Sequence, residues 1–308
     1  MNIFEALEQL LSQQGIPFRT HVPMAPYTSF RIGGEVALLV EPTDEDQLVK
    51  AVCLVRESGL PSLLLGRGSN VLLPDEPMNA VIIRTAEMDT TVTVDGTTLH
   101  ASAGAALIEI ARAAQRAGLG GLEFAYGIPG SLGGALCMNA GAYGGEMSDV
   151  VHSVRVYDAD KNEIYTLSAE QMTFSYRHSL LLSSPHLIAL GAELALHRDD
   201  PEAIEARMRD YMSRRRDKQP LEYPSAGSVF KRPEGAFAGA LIEQSGLKGC
   251  RIGGAMVSPK HAGFIVNVGG ATAADVLALI QHIKDTVERD HGVLLETEIQ
   301  FPTALWAR

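Results

Sequence analysis

Apolar positions fall at helical spacing from the start of the chain: Ile3, Phe4, Leu7, Leu10 and Leu11 share one face, and Gly15 supplies a stop. Residues 35–85 then read as strand, helix, strand, loop and strand. EVALLVEPT is extended, DEDQLVKAVCLVRESG is helical with Gly59 at its end, and PSLLLG is a buried strand. In TVTVDGTTLHAS, Asp95-Gly96 sits between two alternating runs and predicts a hairpin. AALIEIARAAQRAG predicts a helix closed by Gly118. A second hairpin follows over 153–167, with polar residues 158–162 as its turn, and LIALGAELAL is a strand.

The pattern shifts near residues 192–200. A charged helix begins at Pro201, with Asp200 as its cap. Beyond Pro220 the predicted order is strand (GSVFKRP), helix (AGALIEQSGLKG), strand (HAGFIVNVGG), long helix (TAADVLALIQHIKDTVERDHG) and a last strand (VLLETEIQF). Hairpins mixed with helices imply an α+β fold rather than a doubly wound parallel sheet. No internal repeat is visible.

Two stretches depart from this alternation. Residues 124–145 carry no charge and are long enough to span a bilayer. Their glycine content and shortage of leucine and isoleucine argue against that. Gly127, Gly130, Gly133 and Gly134 leave bare backbone, and Pro129 before Ser131 suits a short helix from 131 to about 140. Such glycines serve either close helix packing or a flat, dry ligand. In LLLGRGSNVLL a strand runs into Gly66-Arg67-Gly68-Ser69-Asn70, where successive amides can converge on an anion. A tight turn between strands is the plain alternative. The segment lacks the ending of a Walker loop and the third glycine of a dinucleotide fingerprint. Two anion-competent loops together favour a dinucleotide with a pyrophosphate.

With 308 residues, 46% hydrophobic and 20% charged, the chain can form two domains with a sizeable core. A formal net charge of −11 argues against nucleic acid as the main partner. No Lys or Arg precedes Arg19, so the basic flank of a usual signal peptide is missing. Three cysteines far apart fit reduced thiols in a cytoplasmic protein, and no ligand spacing among Cys and His suggests a metal. Arg214-Arg215-Arg216 with Lys218 reads as a solvated helix end or as an anion site.

YTSFRIGG (27–34), LGRGSNVLL (65–73), GLEFAYGIPGSLGGALCMNAGAYGG (121–145), FSYRHS (174–179), PSAGSVFKRP (224–233), LIEQSGLKG (241–249), HAGFIVN (261–267) and LLETEIQF (294–301) occur in this order. Together they resemble the successive signatures of the UDP-N-acetylenolpyruvoylglucosamine reductase family, in the subtype without an extra tyrosine-bearing loop. The resemblance implies a cytoplasmic flavoenzyme with non-covalent FAD and NADPH as reductant. It would reduce UDP-N-acetylenolpyruvoylglucosamine to UDP-N-acetylmuramate, with neither nucleic acid nor membrane as partner. It also implies an FAD-binding domain of the vanillyl-alcohol-oxidase (PCMH) type over 27–192. Residues 1–26 would lead into it, and 193–308 would form an α/β substrate-binding domain.

By the same resemblance, Gly66, Arg67, Gly68, Ser69 and Asn70 approach the cofactor, as do Gly127, Ile128, Pro129, Gly130, Ser131, Gly133, Gly134, Asn139 and Gly141. Arg177 matches the family's catalytic arginine, Ser228 its proton donor and Glu298 its carboxylate. Strand alternation places Glu296 and Glu298 on one face, so only the motif separates them. Lys218, Tyr223, Lys231 and Gln244 are the implied substrate contacts, and Arg214 to Arg216 are left at the surface. Gln300 stands where the family often has arginine, and Arg67 where some related flavoproteins tether flavin to histidine. Two other readings share parts of this pattern. One is a flavin oxidase acting on a sugar or alcohol; the other is a nucleotide-sugar sensor without turnover.

Overall fold

The computed structural model describes residues 2–302 and Leu305. Helix α1 (Ile3–Gln13) leads into β1 (Phe18–Pro23), β2 (Glu35–Val40), α2 (Glu45–Ser58), β3 (Ser62–Leu65) and β4 (Met78–Arg84). Next come β5 (Val92–Asp95), β6 (Thr98–Ser102), α3 (Leu107–Arg116), β7 (Leu119–Gly120) and α4 (Leu132–Met138). They are followed by β8 (Gly141–Ala142), β9 (Gly145–Glu146), β10 (Val151–Asp158), β11 (Glu163–Ser168), α5 (Leu180–Ser183), β12 (Leu187–Ala195) and β13 (His197–Arg198). The remainder holds α6 (Pro201–Lys218), α7 (Ala238–Gln244), β14 (Arg251–Ile252), β15 (Ala255–Val257), β16 (Ile265–Asn267) and α8 (Ala273–His291).

The α+β reading holds. A four-stranded sheet runs in the order β1-β2-β4-β3, and a five-stranded sheet in the order β11-β10-β12-β6-β5. Both hairpins form as their turns predict, with Asp95 opposite Thr98 and Asp158 opposite Glu163. Helix α2 starts at the Asp44 side chain, which accepts from the Gln47 amide, and stops at Gly59 in the left-handed region. Among the described residues, no helix is long and apolar enough to cross a membrane.

The carboxyl-terminal region departs from the expected strands. Residues 227–233 and 293–301 make only isolated bridges, Ser228 to Phe264, Phe230 to Thr297 and Val71 to Gln300. Their backbone groups alternate between neighbours: Glu298 N donates to Val229 O at 2.8 Å, then Gln300 N donates to Asn70 O at 2.9 Å. A segment shared between two regions has no continuous partner strand. Helix α7 also ends earlier than expected, before Gly246 at φ +72°.

Packing joins the regions. A core of Val229, Ile242, Val257, Val276, Leu279 and Ile283 also takes in Phe30, Ile32 and Leu72 from the first half. Helix α6 does the reverse and buries Ile204 and Met208 in the core of the first half. Asn267 Nδ2 donates to Phe30 O at 3.1 Å, and Ser29 Oγ donates to Ser225 O at 2.6 Å. Asp75 accepts from the first-turn amides of α8, Ala273 N at 2.7 Å and Ala274 N at 3.0 Å. Removing this cap by Asp75→Ala is expected to cost about 1 kcal/mol. A urea midpoint lowered to match would show it; an unchanged midpoint would show that the α8 capping box suffices alone.

Candidate active site

A cavity of about 1880 Å³ runs between the two regions. Its lining includes Gly66 to Asn70, Ile128 to Ser131, Gly133, Gly134 and Gly141, and also Arg177, Tyr223, Ser228 and Glu298. The structure thus gathers most of the residues singled out from the sequence. Gly127, Asn139, Lys218, Lys231 and Gln244 stand outside that lining.

Local geometry shows what the loops can hold. No acceptor within the chain takes the backbone amides of Arg67, Gly68, Ser69 and Asn70 among the described residues. Gly68 lies at φ +62°, and a methyl group built on it would fall 2.2 Å from the Tyr27 carbonyl oxygen. Only glycine fits there. Against this loop, Ser131 stands at the start of α4, and its hydroxyl is buried without a partner. A methyl on Gly66 would meet that hydroxyl at 2.5 Å, whereas Gly130 and Gly134 have ordinary or open contacts. The α4 end is less free than its sequence suggests. Leu132 N and Gly133 N already donate to Ala105 O and Ala103 O at 2.9 and 2.8 Å. Unsatisfied amides with an orphaned hydroxyl beside them fit an anionic, pyrophosphate-bearing cofactor.

Arg177 sits on a two-residue turn, where Ser175 and His178 exchange backbone hydrogen bonds at 3.0 and 3.1 Å. Its φ of +55° is costly for a side-chain-bearing residue, about 1–3 kcal/mol. Surrounding contacts hold it: Nε donates to Glu298 Oε1 at 2.7 Å, and Nη2 donates to Gly141 O at 3.1 Å. Asn139 supports the turn from behind, donating to Ser175 O at 3.1 Å and to Glu146 Oε1 at 2.9 Å. Burial pushes the Glu298 carboxyl above its ordinary range, opposed by the charges of Arg177 and Lys231. Ser228 lines the cavity, and its hydroxyl finds no partner among the described residues. Glu296, the neighbour by alternation, is exposed and pairs with Lys231 at 3.2 Å.

Arg215 is the residue that sequence reasoning left at the surface and the structure turns inward. Arg214 pairs with Asp210, while Arg215 lines the cavity with no ion pair among the described residues. Its Cδ lies 3.2 Å from where a methyl on Gly127 would be, and burial lowers its pKa. A signal was present: Ile204, Met208, Tyr211 and Arg215 repeat at helical spacing on the inner face of α6. Tyr211 stacks on Tyr143 with centroids 4.7 Å apart, and Arg207 binds Glu123 at 2.6 Å. Arg232, also lining the cavity, lies over the Phe237 ring at 4.0 Å. Cys137 lines the same space, and burial pushes its thiol up to about 11, which keeps it protonated.

Comparison with known proteins gives a consistent result. The profile described as "FAD binding domain" matches residues 36–168, and that described as "UDP-N-acetylenolpyruvoylglucosamine reductase, C-terminal domain" matches 219–302. A reductase of that name from Clostridioides difficile is 46% identical over 299 residues, 97% of each chain. One from Alkaliphilus oremlandii is 49% identical over 278 residues, 90% of this chain and 91% of the other. The crystal structure of the reductase from Thermus caldophilus superposes with a TM-score of 0.78 at 35% identity. That superposition covers 93% of this chain and 98% of the other. The first region is an FAD-binding domain of the PCMH type, followed by the family's carboxyl-terminal domain.

The raised Glu298 carboxyl predicts a pH-dependent stability. A carboxyl that binds its proton more tightly when folded adds stability below its ordinary value of 4.5, and loses that gain as pH rises through the raised value. Glu298→Gln removes this titration. With flavin saturating, the variant's urea midpoint is expected to match or exceed the wild type at neutral pH, and wild type should gain on it towards pH 4. Parallel midpoints across that range would contradict the burial argument.

Proposed function

The chain belongs to the UDP-N-acetylenolpyruvoylglucosamine reductase family and is an FAD-dependent oxidoreductase of peptidoglycan precursor synthesis; from that premise we propose how its own residues serve the reaction. The substrate is UDP-N-acetylenolpyruvoylglucosamine, the product UDP-N-acetylmuramate and the reductant NADPH. FAD, when bound, supplies the hydride chemistry through its flavin N5. The phosphate-facing groups would be the amides of Arg67 to Asn70 and the Ser131 hydroxyl. Arg67 offers no histidine for a covalent tether, so the cofactor is dissociable. Cys53, Cys137 and Cys250 are all free thiols, in keeping with a cytoplasmic setting.

What remains for the protein is orientation, charge stabilisation and a proton. Arg177 binds the substrate carboxylate. Its Nη1 makes no hydrogen bond to another described residue, so donors remain for a paired contact. Glu298 keeps the guanidinium in place through its pair with Nε, so that Arg177 and Glu298 together orient the substrate carboxylate as negative charge develops. Ser228 Oγ gives its proton to the carbon where that charge accumulates. A serine is a weak acid, and the step relies on the basicity of the enolate. Arg215 and Arg232 face the substrate diphosphate as unpaired cations in an acidic protein. Tyr223 lines the cavity, and Lys218, Lys231 and Gln244, outside that lining, are assigned to the substrate by their positions in the family's motifs alone.

One observation carries this reading: Arg177 and Glu298, 121 positions apart, meet at 2.7 Å in the lining of the cavity that Ser228 shares. The purified protein should be yellow and should oxidise NADPH only when the enolpyruvyl nucleotide is added. Ser228→Ala and Glu298→Gln should keep the colour and lose about 100-fold or more in kcat. Full activity in either variant would remove that residue's role. NADPH oxidation that ignores the nucleotide would overturn the substrate.

A further inference from the structure

Glu298 stands on no sheet. Its position is set by three backbone contacts, and two involve amide side chains outside the proposed chemistry. Glu298 N donates to Val229 O at 2.8 Å. The Glu298 carbonyl accepts Gln300 Nε2 at 2.9 Å and Asn70 Nδ2 at 3.3 Å. The same two residues are also joined through their backbones, since Gln300 N donates to Asn70 O at 2.9 Å and Leu72 N donates to Gln300 O at 3.0 Å. Asn70 therefore turns its side chain away from the anion-competent amides of its own loop. It spends that side chain on the segment that carries Glu298.

We propose that Gln300, with Asn70, is a positioning residue for the reaction: the Asn70 amide ties the Glu298 carbonyl to the phosphate-facing loop, the Gln300 amide closes back onto the same carbonyl within the segment, and together they fix the Glu298–Arg177 pair in the cavity. This rests on the role given to Glu298 above. A carbonyl held by two donors, next to a buried Ile299, leaves the Glu298 backbone little freedom. Because Oε1 must meet Arg177 Nε while Nη2 stays on Gly141 O, a small rotation of residue 298 breaks the pair. Neutral Gln300 does this without adding charge beside the carboxyl. The burial that raises the Glu298 pKa is then opposed mainly by Arg177, with a smaller part from Lys231.

The test separates the two half-reactions in the holoenzyme. Gln300→Leu removes the donor at similar volume, and Gln300→Arg keeps a donor. Rapid mixing reads flavin reduction by NADPH, and then reoxidation of the reduced enzyme by the enolpyruvyl nucleotide. The clamp predicts wild-type flavin content and flavin reduction in Gln300→Leu, with reoxidation slowed about tenfold or more, and recovery of most of that loss in Gln300→Arg. Reoxidation at the wild-type rate in Gln300→Leu would overturn the proposal, as would equal slowing of both half-reactions with loss of flavin. Glu298→Gln run alongside keeps the outcomes apart. If it reoxidises normally, the role of Glu298 itself fails; if it is slow while Gln300→Leu is not, only the clamp fails.

Discussion

The arrangement depends on a short length of chain that belongs to no sheet. Residues 297–300 bond on one side to Val229 and Phe230 and on the other to Asn70 and Leu72. A regular strand would bury this carboxylate-bearing segment inside one region. Divided between two, it lies across the cavity and presents Glu298 to Arg177, which arrives on a strained turn from the first half. Apolar packing reinforces the same join. Phe30, Ile32 and Leu72 sit in the carboxyl-terminal core, and α6 sends Ile204 and Met208 the other way. The regions therefore share structure rather than merely touch.

Electrostatics follow from this join. The chain is acidic overall, yet Arg215 and Arg232 face the cavity without carboxylate partners among the described residues, while most other cations pair on the surface. A part-buried cation without a partner, such as Arg215, destabilises an empty fold and favours an anion that satisfies it, and the exposed Arg232 adds positive charge at the same cavity. The four free amides of the Gly66–Asn70 loop and the orphaned Ser131 hydroxyl have the same bias. In the proposed function, cofactor and substrate, both carrying diphosphates, would complete the hydrogen bonds that the protein leaves open.

Much of this was legible in the residues. Period and turn chemistry gave the hairpins at Asp95-Gly96 and residues 158–162, the capped α2 and the long α8. Motif order brought Arg177, Ser228 and Glu298 forward together. Three features were hidden, each because a local pattern cannot show long-range partners. The extended runs at 227–233 and 293–301 look like strands, but their neighbours come from different regions. Asn139 looks like part of a cofactor loop, yet its side chain is spent on Ser175 and Glu146. Arg215 was lost in a basic run whose solvated members mask the inward one, although the spacing from Ile204 through Tyr211 pointed to it.

If the cofactor loop and the carboxylate-bearing segment act as one structural unit, backbone hydrogen exchange in flavin-loaded and flavin-stripped protein will register it. Loading is expected to slow exchange at Arg67 to Asn70 and, together with them, at Glu298 and Gln300. Protection confined to the loop, with residues 298 and 300 exchanging as before, would contradict it.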